Sequence, residues 1–226
     1  MKKILSGVLV LLAACLFGSA ADASIGESSV RRAWKSVTGI AEMDELPLFI
    51  KEDAVPNAWV EAGKSVTVTT GLMKLLEREE EIFGVLSHEA GHAKLKHYES
   101  RVKQSVGLSI AALLLGKAIG DSALGDLAVG VGTNLASAGY SREKEVEADD
   151  FAVDLAFKGG LDPTGLYTAL SRLSLQGGRL EPSGFNSHPP DARRLSHVKE
   201  RILKRAPDTK FPEVKAPKGE KKGEKK

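Results

Sequence analysis

Residues 79–100 read EEEIFGVLSHEAGHAKLKHYES. The acids Glu79, Glu80 and Glu81 suit a helix N-terminus, where unpaired N–H groups carry partial positive charge. A helix opening there and running to about Ser100 carries His88-Glu89-Ala90-Gly91-His92. At 3.6 residues per turn, positions four apart sit about 40° apart on one face and roughly 6 Å along the axis. Two imidazoles so placed can share one ion, with bonds of about 2.0–2.1 Å. Glu89 projects beside them and can accept a proton from an attacking water. The spacing alone also fits a helix with two incidental histidines.

Hydrolytic zinc takes a third protein ligand and keeps one position open. The pattern of another class of zinc peptidase, the metzincins, would place a third histidine at position 98, which is Tyr98. His97 is one residue early and would face another side, as a packing or surface histidine. The only cysteine is Cys15, so the third ligand must be a histidine or a carboxylate. The stretch Ser141-Arg142-Glu143-Lys144-Glu145-Val146-Glu147-Ala148-Asp149 offers four carboxylates. Acids there also suit the first turn of a helix.

HEAGH followed some fifty residues later by S-R-x-x-E-x-x-A-D resembles the HtpX/CAAX-prenyl-protease type of zinc metallopeptidase, family forty-eight in the gluzincin group. The resemblance implies an α+β zincin-like domain, mostly helical, with a small sheet beside the HExxH helix. It implies one zinc ion per chain held by His88, His92 and Glu145, with Glu89 as general base. Asp149, one turn after Glu145, would accept the other ring N–H of a ligating histidine, expected to be His88. Asn57-Ala58-Trp59-Val60 through Gly71-Leu72-Met73 resembles the strand, turn and strand ahead of the active helix in that family. Val60 departs from the small residue usual there. Asn57, Ala58 and Trp59 would then contact an extended substrate by strand addition. Ser187-His188-Pro189-Pro190 with Arg194 resembles a further segment of the family. His188 would stabilise an oxyanion or gate the open metal position at rest, and Arg194 would hold a carboxylate near the site. Proline after a histidine also simply opens a helix. Multiple membrane spans and helical-repeat extensions of other members have no counterpart, so the chain is similar to the compact, exported, LoiP-like branch. The resemblance implies a metalloendopeptidase acting on extended or misfolded envelope proteins. The rival expectation is a non-catalytic, zinc-stabilised, chaperone-like binding module of the envelope.

Outward from these motifs the chain divides in three. Residues 1–23 have a basic start, an apolar stretch and the small-residue site Ala21-Asp22-Ala23, as a signal peptide does. Leu12-Ala13-Ala14-Cys15 also fits a lipoprotein signal, with Cys15 lipidated. Residues 24–205 form the expected domain. Helices are expected around Val30–Val37, over Gly71–Glu77, Ser141–Lys158, Pro163–Gln176 and Pro189–Arg205, with strands at Leu46–Lys51, Asn57–Glu61 and Ser65–Thr70. Gly177–Ser187 reads as a loop. Val106–Leu135, rich in Ala, Leu and Gly, reads as packed helix or a membrane-facing hairpin, its apolar runs being too short to cross a bilayer. The Lys-rich tail 206–226 has no periodic apolar face and is expected to be disordered.

Composition excludes much. The 226 residues are 42% hydrophobic and 27% charged, with net charge +2, as in an ordinary globular chain. No global field calls for nucleic acid, and 5% aromatic residues make no stacking platform for single strands. One cysteine excludes an intrachain disulfide framework. The expected partner is a polypeptide substrate outside the cytoplasm, with membrane association through a Cys15 lipid or residues 106–135. Oligomeric state is open.

Overall fold

In the computed structural model the described residues are 25–61, 63–104, 107, 140–176, 188 and 190–215. Helix α1 (Glu27–Ala41) leads to strands β1 (Leu48–Lys51), β2 (Ala58–Glu61) and β3 (Ser65–Thr69), then to α2 (Thr70–Leu75) and α3 (Glu79–Lys94). Helices α4 (Arg142–Lys158), α5 (Gly165–Leu175) and α6 (Ala192–Arg205) follow. This is the mostly helical α+β arrangement expected, with strand order β1-β3-β2. Strand β3 runs parallel to β1 and antiparallel to β2.

Helix α3 is the axis of the domain. Every residue from Glu81 to His92 is buried, because α1, α4, α5 and β2 all pack on it. Such a helix is covered on all sides and shows no single apolar stripe. Its start follows the expected logic. The Glu81 carboxylate turns back to accept the N–H groups of Glu77 and Arg78 at 2.8 and 3.2 Å, and it is also bound by Arg172 of α5 at 2.8 Å. The core around α3 is built from Val30, Trp34 and Val37 of α1, Val66 and Val68 of β3, Leu72, Leu76, Ile82, Leu86 and Leu173. Trp34 also donates its ring N–H to Leu46 O at 2.8 Å, tying α1 to the start of the sheet.

Two close approaches position the site. A Cβ on Gly84 would lie 2.7 Å from Leu166 Cα and 2.9 Å from Gly165 C, so only glycine lets α5 cross α3 there. A Cβ on Gly91 would lie 3.2 Å from both Ala148 Cα and Phe151 Cβ. That tight crossing brings α4, and with it Glu145 and Asp149, down onto the HExxH turn.

The structure corrects several sequence expectations. The long helix stops at Lys94, not near Ser100. Lys96 takes a left-handed conformation (φ 55°), which costs a non-glycine residue roughly 1–2 kcal/mol. Residues 97–104 are helical again, so the chain kinks and His97 is redirected. Helix α5 begins at Gly165, after a turn in which the Asp162 carboxylate accepts from the N–H and hydroxyl of Thr164. Helix α6 begins at Ala192, capped by Asp191, which accepts from Arg194 N–H at 2.8 Å. Strand β3 is buried on both faces rather than alternating. Of the tail expected to be disordered, residues 206–215 are described. Phe211 packs edge-on against Tyr167 with centroids 4.8 Å apart, and Lys199 lies over its ring. Aromatic burial anchors the segment without any periodic face. The expectations for residues 1–23, Val106–Leu135, Gly177–Ser187 and 216–226 lie outside the described residues, apart from residue 107, which is helical.

Candidate metal centre

One turn of α3, one turn of α4 and the segment before α6 meet in a buried polar cluster. His88, His92, Glu145 and His188 each offer one ligand atom, and these atoms lie within 4.8 Å of one another. All four residues are buried, at 1–3% exposure. His88 Nε2 and His92 Nε2 are 3.0 Å apart. The Glu145 carboxylate places Oε2 3.4 Å from His88 Nε2 and Oε1 3.4 Å from His92 Nε2. His188 Nδ1 is 3.4 Å from His88 Nε2 and 2.8 Å from Glu145 Oε1. Ligand atoms bound tetrahedrally to one ion at 2.0–2.1 Å stand roughly 3.3–3.4 Å apart. The spacings, and a donor set of three imidazole nitrogens and one carboxylate, therefore fit a metal ion.

The surrounding groups orient this set. Asp149, fully buried, has Oδ1 2.9 Å from His88 Nδ1. Arg194 donates to both Asp149 oxygens at 2.9 and 2.6 Å and to His188 O at 3.0 Å. Its Nη1 also stands 2.8 Å from Glu145 Oε2. The cap that opens α6 thus brings Arg194 underneath the cluster, against both Asp149 and Glu145 of α4. The balance of burial and hydrogen bonding sets the proton affinities within the cluster. Burial opposes charge on His88, but hydrogen bonds to Asp149 and Glu145 prevail and raise its pKa to about 9. Burial drives His92 well below its usual value. Burial opposes ionisation of Glu145 and Asp149 as well. Hydrogen bonds from the histidines hold Glu145 low, and Arg194 and His88 hold Asp149 low.

Glu89 is fully buried and accepts the Val60 N–H on Oε2 at 3.0 Å. Among the described residues its Oε1 has no hydrogen-bond partner, and it lies 3.7 Å from His188 Nε2. Burial raises the Glu89 pKa, as a proton acceptor near neutral pH requires.

Strand β2 is the edge of the sheet nearest this carboxylate. Asn57 is tied to β3 by its backbone, giving its N–H to Thr69 Oγ1 and accepting from Thr69 N–H. In an antiparallel ladder the hydrogen-bonding direction alternates, so the backbone groups of Ala58 and Val60 point away from β3. The side chains of Ala58 and Val60 are buried, while Trp59 is half-buried on the other face, 5.9 Å from Lys51 Nζ. Asn57 Oδ1 is buried without a hydrogen-bond partner among the described residues.

Of the residues singled out from sequence, the structure brings His88, His92, Glu145, His188, Glu89, Asp149 and Arg194 into one cluster. Asn57, Ala58 and Trp59 lie along the adjoining edge. Two neighbours were missed. Tyr140 stacks on His92 with centroids 4.0 Å apart, and burial pushes its phenol up to about 12. Its place directly before the Ser141 cap was the available signal. His97, expected to face elsewhere, is buried with Nδ1 2.8 Å from His92 Nδ1. No local pattern reveals it, because the kink at Lys96 puts it there.

Comparison with known proteins agrees with this geometry. The family model for peptidase family M48 matches residues 26–202. The chain is 41% identical over 153 residues to the Metalloprotease YcaL of Escherichia coli (strain K12) and 33% identical over 153 residues to the Metalloprotease LoiP of the same organism. Each alignment covers 65% of this chain and 58% of the relative, so the chain spans somewhat over half the length of these curated relatives. It is also 26% identical over 176 residues to the Mitochondrial metalloendopeptidase OMA1 of Schizosaccharomyces pombe, covering 76% of this chain and 51% of that protein.

Proposed function

The chain belongs to peptidase family M48, and on that footing we propose that it is a zinc-dependent endopeptidase that cuts extended polypeptides. One observation carries the reading. A converging donor set, His88, His92 and Glu145, lies beside a buried carboxylate, Glu89, that keeps one oxygen unpartnered among the described residues. Zinc bound there supplies Lewis-acid chemistry, polarising a carbonyl and lowering the pKa of a water.

The protein's own groups do the rest. Val60 N–H holds Glu89 Oε2, which leaves Oε1 aimed into the site to take the proton of the attacking water and pass it to the leaving nitrogen. Asp149 and Arg194 fix His88, so that its Nε2 would face a bound ion. The outward backbone groups of Ala58 and the carbonyl of Val60, whose N–H is taken by Glu89, offer an edge for an extended chain to pair with, with the Asn57 side chain beside it. Main-chain pairing gives affinity with little dependence on side chains, which suits misfolded or unassembled proteins. His188 would be a fourth donor to a bound ion, and moved aside its ring could instead stabilise the oxyanion. The leader-like residues 1–23 support export to the periplasm or outer membrane, with Cys15 as a lipid anchor in the lipoprotein form. No helix among the described residues is long and apolar enough to cross a membrane.

The test compares casein cleavage by the purified protein and by Glu89→Gln, with zinc content measured in both. Loss of a general base costs about 10²–10⁴-fold, so the variant should bind zinc and cut at least a hundredfold more slowly. Equal cleavage by both would end the assignment of Glu89. If neither cuts although both bind zinc, His188→Ala separates a closed enzyme, which it should activate, from a binding module, which it should leave inert.

A further inference from the structure

His97 and Glu147 lie outside the donor set, and the reaction described above uses neither. His97 is 1% exposed. Its Nδ1 is 2.8 Å from His92 Nδ1 and its Nε2 is 3.0 Å from Glu147 Oε2. Lys144 Nζ holds both oxygens of Glu147, at 3.1 and 2.9 Å. We propose that His97 is a positioning residue that sets the tautomer and ring orientation of His92 for metal binding, with Glu147 anchoring the outer end. The inference rests on the reading of His88, His92 and Glu145 as the metal site.

The direction of every link follows from the carboxylate. An ionised carboxylate only accepts hydrogen bonds. His97 must therefore carry its proton on Nε2, facing Glu147, which leaves its Nδ1 as an acceptor. A nitrogen–nitrogen contact of 2.8 Å with His97 as acceptor requires His92 to donate from Nδ1. His92 Nε2, which faces the cluster, then carries its lone pair inward. That is the form a ligating imidazole needs, and the partner on the far nitrogen is what selects it.

The two histidines of the motif are thus oriented in different ways. His88 leans directly on Asp149, a buried carboxylate. His92 leans on a two-step relay that ends at Glu147, whose side chain is 46% exposed. The geometry depends on the left-handed turn at Lys96. Continued as regular α-helix, five residues would carry His97 about 140° around the axis from His92.

The experiment measures zinc affinity by competition with a chromophoric chelator, the visible spectrum of the Co²⁺ form, and the melting temperature. The proteins are wild type, His97→Phe, His97→Asn, Glu147→Ala and His88→Ala. Phenylalanine fills the space but accepts no hydrogen bond, whereas the asparagine carbonyl can stand near the place of Nδ1. Removal of an outer partner of a ligand typically weakens metal binding 10–100-fold. His97→Phe should lose affinity in about that range and shift the Co²⁺ spectrum. His97→Asn should recover most of the loss, and Glu147→Ala should show a several-fold loss with an unchanged melting temperature. A folded His97→Phe with wild-type affinity and spectrum overturns the relay. If His97→Phe does not fold, Glu147→Ala decides, and unchanged affinity there overturns it. If wild type binds no zinc, or His88→Ala binds it as well as wild type, the metal site itself is refuted and the relay with it.

Discussion

Replacement of Arg194 by methionine removes one guanidinium and keeps the length of the side chain. Arg194 is 5% exposed and faces Asp149 at 0% and Glu145 at 4% side-chain exposure. The substitution deletes two hydrogen bonds to Asp149, one to His188 O and the approach of 2.8 Å to Glu145 Oε2. Breaking a buried ion pair from one side costs about 3–5 kcal/mol, because the remaining charge stays buried. That is roughly two to nearly four powers of ten in the folding equilibrium. For a domain of this size it is also about 6–20 °C in melting temperature. Urea unfolding of the metal-free proteins measures it. Arg194→Lys keeps the charge but not the fork, and should lose less. Zinc should restore part of the deficit, since it supplies a new cation to Glu145. A loss under about 1 kcal/mol in the metal-free protein, the range of exposed pairs, would refute the claim that Arg194 holds these carboxylates together.

Gly84→Ala forces backbone of α3 and α5 apart, and overpacking of this kind costs about 1–3 kcal/mol or more; an unchanged melting temperature would show that the crossing is looser than it stands. Gly91→Ala gains about 1 kcal/mol of helix propensity against contacts of 3.2 Å to α4. Its melting temperature should move little while zinc binding weakens several-fold, as Glu145 is pushed outward; full zinc affinity would count against that geometry. Burial opposes the charge of Asp162, but hydrogen bonds from Thr164 and Arg78 prevail and hold its pKa below the usual 3.8. The sign follows: its contribution is present above 3.8 and is lost as pH falls through the lower folded value. Melting temperature against pH should therefore fall less steeply below about pH 4 in Asp162→Asn than in wild type; parallel curves would remove Asp162 from the acid transition.

Local chemistry was legible in the sequence. The acid-rich start of α3 follows from the charge at a helix terminus, and the strand at Ser65–Thr69 and the spacing of His88 and His92 from repeats of two and about four residues, although both faces of that strand are buried. A repeat that short depends on backbone geometry alone. The cap of α6 was less legible. Pro189-Pro190 suggested a start at Pro189, while the Asp191 carboxylate, accepting the Arg194 N–H, opens the helix at Ala192. Phe211 shows the same limit. Its single aromatic ring anchors a lysine-rich segment through Tyr167, more than forty residues away, and no window of neighbouring sequence carries that information.

Along α4, composition and spacing left Glu143, Glu145, Glu147 and Asp149 open as partners of the two histidines, and only the resemblance to a family favoured Glu145. The tertiary structure separates them by rotation about one helix. Glu145 faces the cluster, Asp149 sits one turn deeper under His88, and Glu147 points outward to His97 and Lys144. What decides this is the closeness of α3 and α4 at Gly91, a contact between residues more than fifty positions apart. His97 marks the boundary most clearly. Helical periodicity alone turns it away from His92, and one left-handed residue at Lys96 returns it. The sequence by itself determined which side chains were available and how neighbours on one helix are spaced; the crossing of α3 with α4 and the kink after Lys94 determined which of them meet.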